Sequence, residues 1–312
     1  MMQIHRGLTG SLPVFRHAAV TIGTFDGVHL GHRRIIEQLK ETARETNGET
    51  VIITFDPHPR KVVSSVPGEV RLLTTLPEKI HLLEAAGIDH LVIIPFDHRF
   101  ASLSATAYVQ DFLFAHFHPR TVIIGYDHRF GHNREGDYAL MEKSGASLGF
   151  AVKEIPEQVV NEVGISSTRI RQAIIAGDIA AANTLLGYPY FFSGQVVAGN
   201  RLGRTIGYPT ANLYIGSEEK LIPGNGVYAV TAQVDLAPER IKGMMNIGFR
   251  PTVDGKKKVI EVNLFDFDQD IYDHSLRVNL HAYLRGETRF DGLTALTAQL
   301  GRDKAAAQDV LA

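Results

Sequence analysis

Up to about Ile155, short apolar and β-branched runs alternate with stretches of helical period. The runs are Ala18–Ile22, Thr50–Phe55, Leu91–Pro95 and Thr121–Ile124. Between them, the spacing predicts helices over His29–Thr46, with Gly48 just beyond, over Pro77–Ala86, with Gly87 beyond, over Ser104–Phe117 and over Gly136–Leu148. This alternation predicts an α/β fold with a doubly wound parallel sheet. Ligands of such sheets bind beyond the carboxyl ends of the strands. The segments expected there are the turn before His29, Thr54–Pro59 and Gly125–Gly131. Two further helices, Ser167–Ala176 and Ile179–Leu186, are expected to close the unit.

After Gly187-Tyr188-Pro189 the pattern changes. Phe191–Ala198, Ala211–Ile215, Val227–Val234, Ile241–Ile247, Val259–Phe265 and Leu276–Leu284 are short, β-rich and separated by Gly, Pro and Asn turns. The next helical pattern is Leu293–Leu311. Six strands at short spacing with one late helix predict a small antiparallel β-barrel carrying a terminal helix. The expected domains are therefore 1–186 and 187–312. Lys256–Lys258 reads as a solvated hairpin tip.

A length of 312 residues agrees with about two domains. A net charge of −2 gives no electrostatic reason to expect nucleic acid or a membrane surface as partner. The chain has no cysteine, which excludes disulfides, thiol catalysis and cysteine-held metals and fits a reducing cytoplasm. Residues 1–10 lack the charged start and apolar core of a signal peptide. No apolar run approaches the ~20 residues of a membrane span. Tryptophan is absent, so an aromatic ligand platform must use Phe, Tyr or His.

The segment Thr21–His32, T-I-G-T-F-D-G-V-H-L-G-H, carries the sharpest chemistry. It places His29 and His32 three positions apart at a predicted helix start, where backbone N–H groups and the helix dipole favour phosphate. The two rings share a face and can meet one anion. Asp26, in the turn, can cap the helix, or orient a histidine or a metal. Ile165–Arg171, I-S-S-T-R-I-R, lies about 135 residues downstream. It reads either as a plain helix start or as a polyphosphate cradle of hydroxyls and arginine.

In the second half, Gly199–Asn212 reads G-N-R-L-G-R-T-I-G-Y-P-T-A-N. A glycine-rich loop of this kind can wrap phosphates with backbone N–H groups, or can be a long hairpin turn. Thr210 and Asn212 offer neutral oxygens suited to a Mg²⁺ ion that keeps waters and phosphate ligands. Glu261 and Asn263 share one face of their strand. If that face is solvent, Glu261 is unremarkable; if it lines the barrel mouth, Glu261 can accept a hydroxyl proton.

Taken in order, these motifs resemble the bacterial bifunctional riboflavin kinase/FAD synthetase family over essentially the whole chain. G-T-F-D-G-V-H-L-G-H, T-F-D-P-H-P, G-Y-D-H-R-F-G with R-E-G-D, and I-S-S-T-R-I-R resemble its adenylyltransferase half. G-R-T-I-G-Y-P-T-A-N, G-N-G-V-Y, N-I-G-F-R-P-T and I-E-V-N-L-F-D-F resemble its kinase half.

The resemblance implies that riboflavin is phosphorylated to FMN in the barrel and that FMN is adenylylated to FAD, with pyrophosphate released, in the α/β domain. It implies that His29 and His32 steady the ATP phosphates, with Gly23, Phe25 and Asp26 shaping the loop, and that Ser167, Thr168 and Arg171 hold the pyrophosphate side. Phe55, Pro57 and Asp127 would contact flavin or nucleotide. In the kinase half, Gly203, Arg204 and Gly207 would belong to the phosphate-covering loop. Thr210 and Asn212 would bind Mg-ATP, and Glu261 would be the general base. Asn246, Arg250, Pro251 and Thr252 would form a nearby loop, and Arg285 and the last helix would close over flavin. The chain departs from the family pattern at His128, where Phe is common, and at Asp273-His274. The expected partners are riboflavin, FMN, FAD and ATP, with Mg²⁺ as cofactor, in a cytoplasmic monomer or weak homo-oligomer.

Overall fold

Six parallel strands carry the first half of the chain: β1 (Gln3–Arg6), β2 (Ala19–Ile22), β3 (Thr50–Asp56), β4 (His90–Pro95), β5 (Thr121–Gly125) and β6 (Ala151–Ile155). Their order is β1-β4-β3-β2-β5-β6, and every pairing is parallel. The computed structural model describes residues 1–8, 12–63, 71–156, 164–199, 202–252 and 255–312.

The central strands read as continuous apolar runs because both faces of the sheet are covered. Alternate residues go to opposite sides. Val20, Ile53, Val92 and Val122 pack into one cluster, and Ile52, Leu91 and Ile123 into the other. The second cluster is closed by α1 (Leu30–Glu45) and α2 (Leu76–Ala85), through Ile36, Leu39 and Leu83. The first is closed by the helical stretch 105–117 and by α3 (Tyr138–Leu148). The middle of 105–117, Tyr108–Phe114, is a π-helix. The edge strands β1 and β6 escape a hydrophobicity reading because most of their positions are not buried.

From β2 the chain steps outward to β3 and β4, then returns to place β5 on the other side of β2. The strand order therefore reverses between β2 and β5, and the crevice beyond their carboxyl ends is where such sheets take ligands.

The second half holds the expected barrel. Its strands are β7 (Phe191–Val197), β8 (Ala211–Tyr214), β9 (Gly226–Val234), β10 (Ile241–Thr252), β11 (Gly255–Leu264) and β12 (Ser275–Arg285). They close in the order β10-β11-β8-β7-β12-β9, antiparallel throughout. Helices α4 (Ser167–Ala176) and α5 (Ile179–Leu186) precede the barrel, and α6 (Leu293–Val310) follows it. Ala307 of α6 and Leu311 just beyond it pack on Ala229, Met244 and Phe265. By its internal contacts the chain divides into Met1–Ser167 and Thr168–Ala312.

Three local readings need correction. Asn246, Arg250, Pro251 and Thr252 lie in β10, not in a loop, because β10 and β11 stay paired out to Thr252 and Gly255. Lys256–Lys258 pair with Pro251–Phe249 and so belong to the strand beside the tip. This end of the hairpin is polar, so backbone pairing continues where the apolar signal stops. A single helical turn, Leu202–Thr205, also forms inside the segment read as turn.

Candidate active sites

The turn leaving β2 is held in an uncommon conformation. Phe25 and Val28 have φ of 48° and 37°, and Gly27 has φ of 84°. Positive φ is easy for glycine and costs other residues, a β-branched one most. The surroundings over-determine it. The Asp26 carboxylate accepts hydrogen bonds from Leu73 N at 3.2 Å and from Thr74 N at 3.0 Å. The Thr74 hydroxyl accepts from Gly27 N at 3.0 Å. Asp26 thus braces the turn against the segment before α2 and is not the cap of α1.

The cap of α1 is His29, whose Nδ1 accepts from His32 N at 3.4 Å. A neutral ring that accepts at Nδ1 carries its proton on Nε2, where it can donate. The rings of His29 and His32 stack with centroids 3.7 Å apart, and Phe25 lies 5.0 Å from His32. Burial, followed by the neighbouring His29 ring and the Lys79 charge, holds the His32 pKa well below the ordinary histidine range. Its Nδ1 is buried without a hydrogen-bond partner among the described residues. His32 is therefore a neutral donor or acceptor near pH 7, not a cation.

The second motif reaches the first. Ser167, the opening residue of α4, donates its hydroxyl to the Asp26 carbonyl at 3.1 Å across 141 positions. Thr168 and Arg171 follow in the first turns of α4, whose buried residues are Ile170 and Ile174.

The other expected loops divide into scaffold and open positions. Phe55 is buried in an aromatic cluster with Phe96 and Phe100, and Pro57 follows a cis peptide bond. Beyond β5, Phe130 and Gly136 form an isolated bridge. Glu135 accepts from Ala105 N, and Asp137 caps α3 while pairing with Arg129. R-E-G-D is thus largely a structural turn. Asp127 stays exposed beside Gly125. His128 stacks on Phe130, and burial pushes its pKa down to about 4.

In the barrel the cross-strand register gathers the polar groups. Glu261 of β11 lies opposite Asn212 of β8 and opposite Asn246 of β10. Glu261, Asn212, Asn246, Thr210, Gly203 and Arg285 all line one cavity of about 330 Å³. A second cavity of about 430 Å³, bordered by Gly207, Pro209 and Asp266, adjoins it at Tyr208 and Asn263. Glycine is required at Gly203, since a Cβ there would strike the Tyr208 carbonyl. Asn263 ties the loop down by donating to the Pro209 carbonyl at 2.7 Å. Arg204 lies in the short helix 202–205. Asn200 and Arg201 of the glycine-rich loop, and the side chains of Arg250, Pro251 and Thr252, lie outside the described residues.

Arg285 grips Asp303 of α6 through Nε and Nη2, at 2.8 and 2.6 Å. Gln299 adds a bond to the same carboxylate at 2.8 Å. Asp303 was not anticipated from sequence. Its only signal is a carboxylate on the buried face of an otherwise ordinary amphipathic helix. Among the described residues no group of three His, Cys, Asp or Glu could hold a metal, and no helix is long and apolar enough to cross a membrane.

Comparison with known proteins fits both halves. A family model described as FAD synthetase matches residues 13–169, and one described as riboflavin kinase matches residues 186–311. The Escherichia coli K12 bifunctional riboflavin kinase/FMN adenylyltransferase is 40% identical over 93% of this chain and 91% of its own length. The Haemophilus influenzae protein of that name is 37% identical over 97% of each chain. A Streptococcus pneumoniae crystal structure, named as a macrolide-efflux protein, is 31% identical with a TM-score of 0.82, covering 93% of this chain and 94% of that one. The chain belongs to the bifunctional riboflavin kinase/FMN adenylyltransferase family.

Proposed function

We propose that the two activities of this enzyme, riboflavin kinase and FMN adenylyltransferase, run at the two sites built above, with Glu261 and the histidine pair as their centres. The boundary between the working halves is placed near residue 187. The supporting spans are the family-model matches, which end at 169 and resume at 186.

In the kinase reaction, riboflavin and ATP give FMN and ADP. Glu261 takes the proton of the riboflavin 5′-hydroxyl as the oxygen attacks the γ-phosphorus. The observation that carries this assignment is the register that sets Glu261 between two asparagines on a cavity wall. Asn212 and Asn246 lie opposite it on the two neighbouring strands. Phosphoryl transfer depends mainly on positioning and charge stabilisation. The neutral oxygens of Thr210 and Asn212 fit Mg²⁺, which keeps several waters and phosphate ligands. When bound, that ion neutralises phosphate charge. Gly203, Arg204 and Gly207 cover the phosphates, and Arg285 borders the flavin.

In the adenylyl reaction the FMN phosphate is already ionised and needs no strong base. It attacks the α-phosphorus of ATP, and pyrophosphate leaves. The Nε2–H of His29 and the neutral ring of His32 act as hydrogen-bonding groups at the start of α1, where the helix end favours anions. Gly23, Phe25 and Asp26 set that turn. Ser167, Thr168 and Arg171 face the pyrophosphate, and Phe55, Pro57 and Asp127 border flavin or nucleotide. We assign the protein to the cytoplasm, as a monomer or weak homo-oligomer with no nucleic-acid partner. The absence of cysteine fits a reducing cytoplasm, and the net charge of −2 gives no electrostatic reason to expect nucleic acid.

The test is a chromatographic time course of riboflavin, FMN and FAD with ATP and Mg²⁺. FMN rising first and FAD following is the expected result. FMN without FAD would remove the adenylyl assignment. No flavin product would remove both.

A further inference from the structure

Lys79, on α2, is only 6% exposed. Lysine is almost never buried without an anionic partner, because desolvating an ammonium is expensive. Its Nζ makes one hydrogen bond among the described residues, to the Thr54 hydroxyl at 3.3 Å. Burial lowers its pKa below the ordinary lysine value, Asp26 and Asp56 oppose that shift from a distance, and neither closes an ion pair with it among the described residues. A fold needing only packing here would be served by methionine or leucine.

The bond does not end at Thr54. That hydroxyl in turn donates a hydrogen bond to the Thr24 carbonyl at 3.2 Å. A relay therefore runs from the Lys79 ammonium through Thr54 at the end of β3 to the turn that presents the histidines. That turn also carries Phe25 and Val28 at positive φ. Such strain persists only where the surroundings hold it. Asp26 holds one side through Leu73 and Thr74. The relay holds the other.

We propose that Lys79 is a positioning residue for adenylyl transfer: its buried amine fixes the Gly23–Gly27 turn through Thr54 and stands as a cationic group behind the histidine pair. The charge acts on His32 beyond the relay. The titratable groups facing His32 are His29 and Lys79, and both oppose its protonation. Those facing Lys79 are Asp26, Asp56 and His32. Burial does most to keep His32 neutral, and the Lys79 charge adds to it, so that the ring stays a hydrogen-bonding group for the nucleotide. The proposal rests on the reading of His29 and His32 as the phosphate site.

The experiment follows the imidazole signals of the full-length protein, labelled with ¹⁵N-histidine, against pH. Wild type, Lys79→Met and Lys79→Arg are compared, with His32→Gln assigning the resonance. The rate of FAD formation from FMN is measured on the same samples. In Lys79→Met, the His32 titration is expected to move up toward the ordinary histidine range. The acid limb of the FAD rate should move with it, while FMN formation from riboflavin is unchanged. Lys79→Arg should restore both. An unmoved titration and acid limb would overturn the proposal.

Should Lys79→Met fail to fold, Thr54→Val breaks the relay and keeps the ammonium. It should lower kcat for FAD roughly ten- to a hundredfold without moving the His32 titration. A wild-type kcat would overturn the proposal. A wild-type rate in His32→Ala, whatever Lys79 does, would instead overturn the underlying site reading.

Discussion

Glu261 stands directly opposite Asn212 across the pairing of β8 with β11, and both line the same cavity. A carboxylate on a cavity wall, with an amide side chain opposite it on each neighbouring strand, is placed to take a proton from a hydroxyl in that cavity. Glu261→Gln keeps the size and removes the base. FMN formation should fall by roughly 10²–10⁴-fold, while FAD formation from supplied FMN stays at the wild-type rate. Loss of both activities would show that one site serves both reactions.

His32 should matter to the other reaction alone. Removing one preorganised donor from a transition-state site costs roughly 10²-fold or more. His32→Ala should lower FAD formation from FMN by that amount and leave riboflavin phosphorylation intact. Because its pKa is held low chiefly by burial, the wild-type FAD rate should lack an acid limb between pH 7 and 6.5. A pH profile of FAD formation that breaks at 6.5 would tie the limb to a different histidine.

The parallel sheet, the barrel and most elements were legible because their signal is hydrophobic period, which burial enforces at β2, β3 and β9. Edge strands β1 and β6 were not, since they bury little. The sites were legible as motifs, and their supports were not. Sequence left Glu261 between solvent and barrel mouth, and only the cross-strand register decides which face it takes. Asp26 reads as a helix cap until the segment around Thr74 is seen to use its carboxylate. Lys79 reads as an ordinary helical lysine, because what makes it unusual is a hydrogen bond to Thr54, 25 positions away.

His128 links stability to pH. Its pKa is pushed down to about 4, chiefly by burial, from about 6.5 in the unfolded chain. Between those values the unfolded state binds the proton first, so stability is full above pH 6.5 and falls on acidification. The slope is about 1.4 kcal/mol per pH unit, and the loss reaches at most about 3 kcal/mol near pH 4. His32 adds a change of the same sign. His128→Phe removes one such proton. Urea unfolding at pH 7 and pH 5 should show the variant gaining on wild type at the lower pH. An equal difference at both pH values would mean that His128 is not buried neutral.

Asp303 anchors α6 to the barrel through the two-pronged bond from Arg285. Its side chain is 4% exposed and that of Arg285 is 23% exposed. Asp303→Ala leaves a partly buried guanidinium unpaired. Breaking a fully buried pair costs about 3–5 kcal/mol, and the water reaching Arg285 lowers this to about 2 kcal/mol. The thermal midpoint should fall accordingly. Because the pair lines the cavity beside Glu261, the KM for riboflavin should rise more than kcat falls. Adenylylation of supplied FMN should be unaffected below the new midpoint. A lowered midpoint with an unchanged KM would confine the Arg285–Asp303 pair to holding the helix and remove Arg285 from the flavin site.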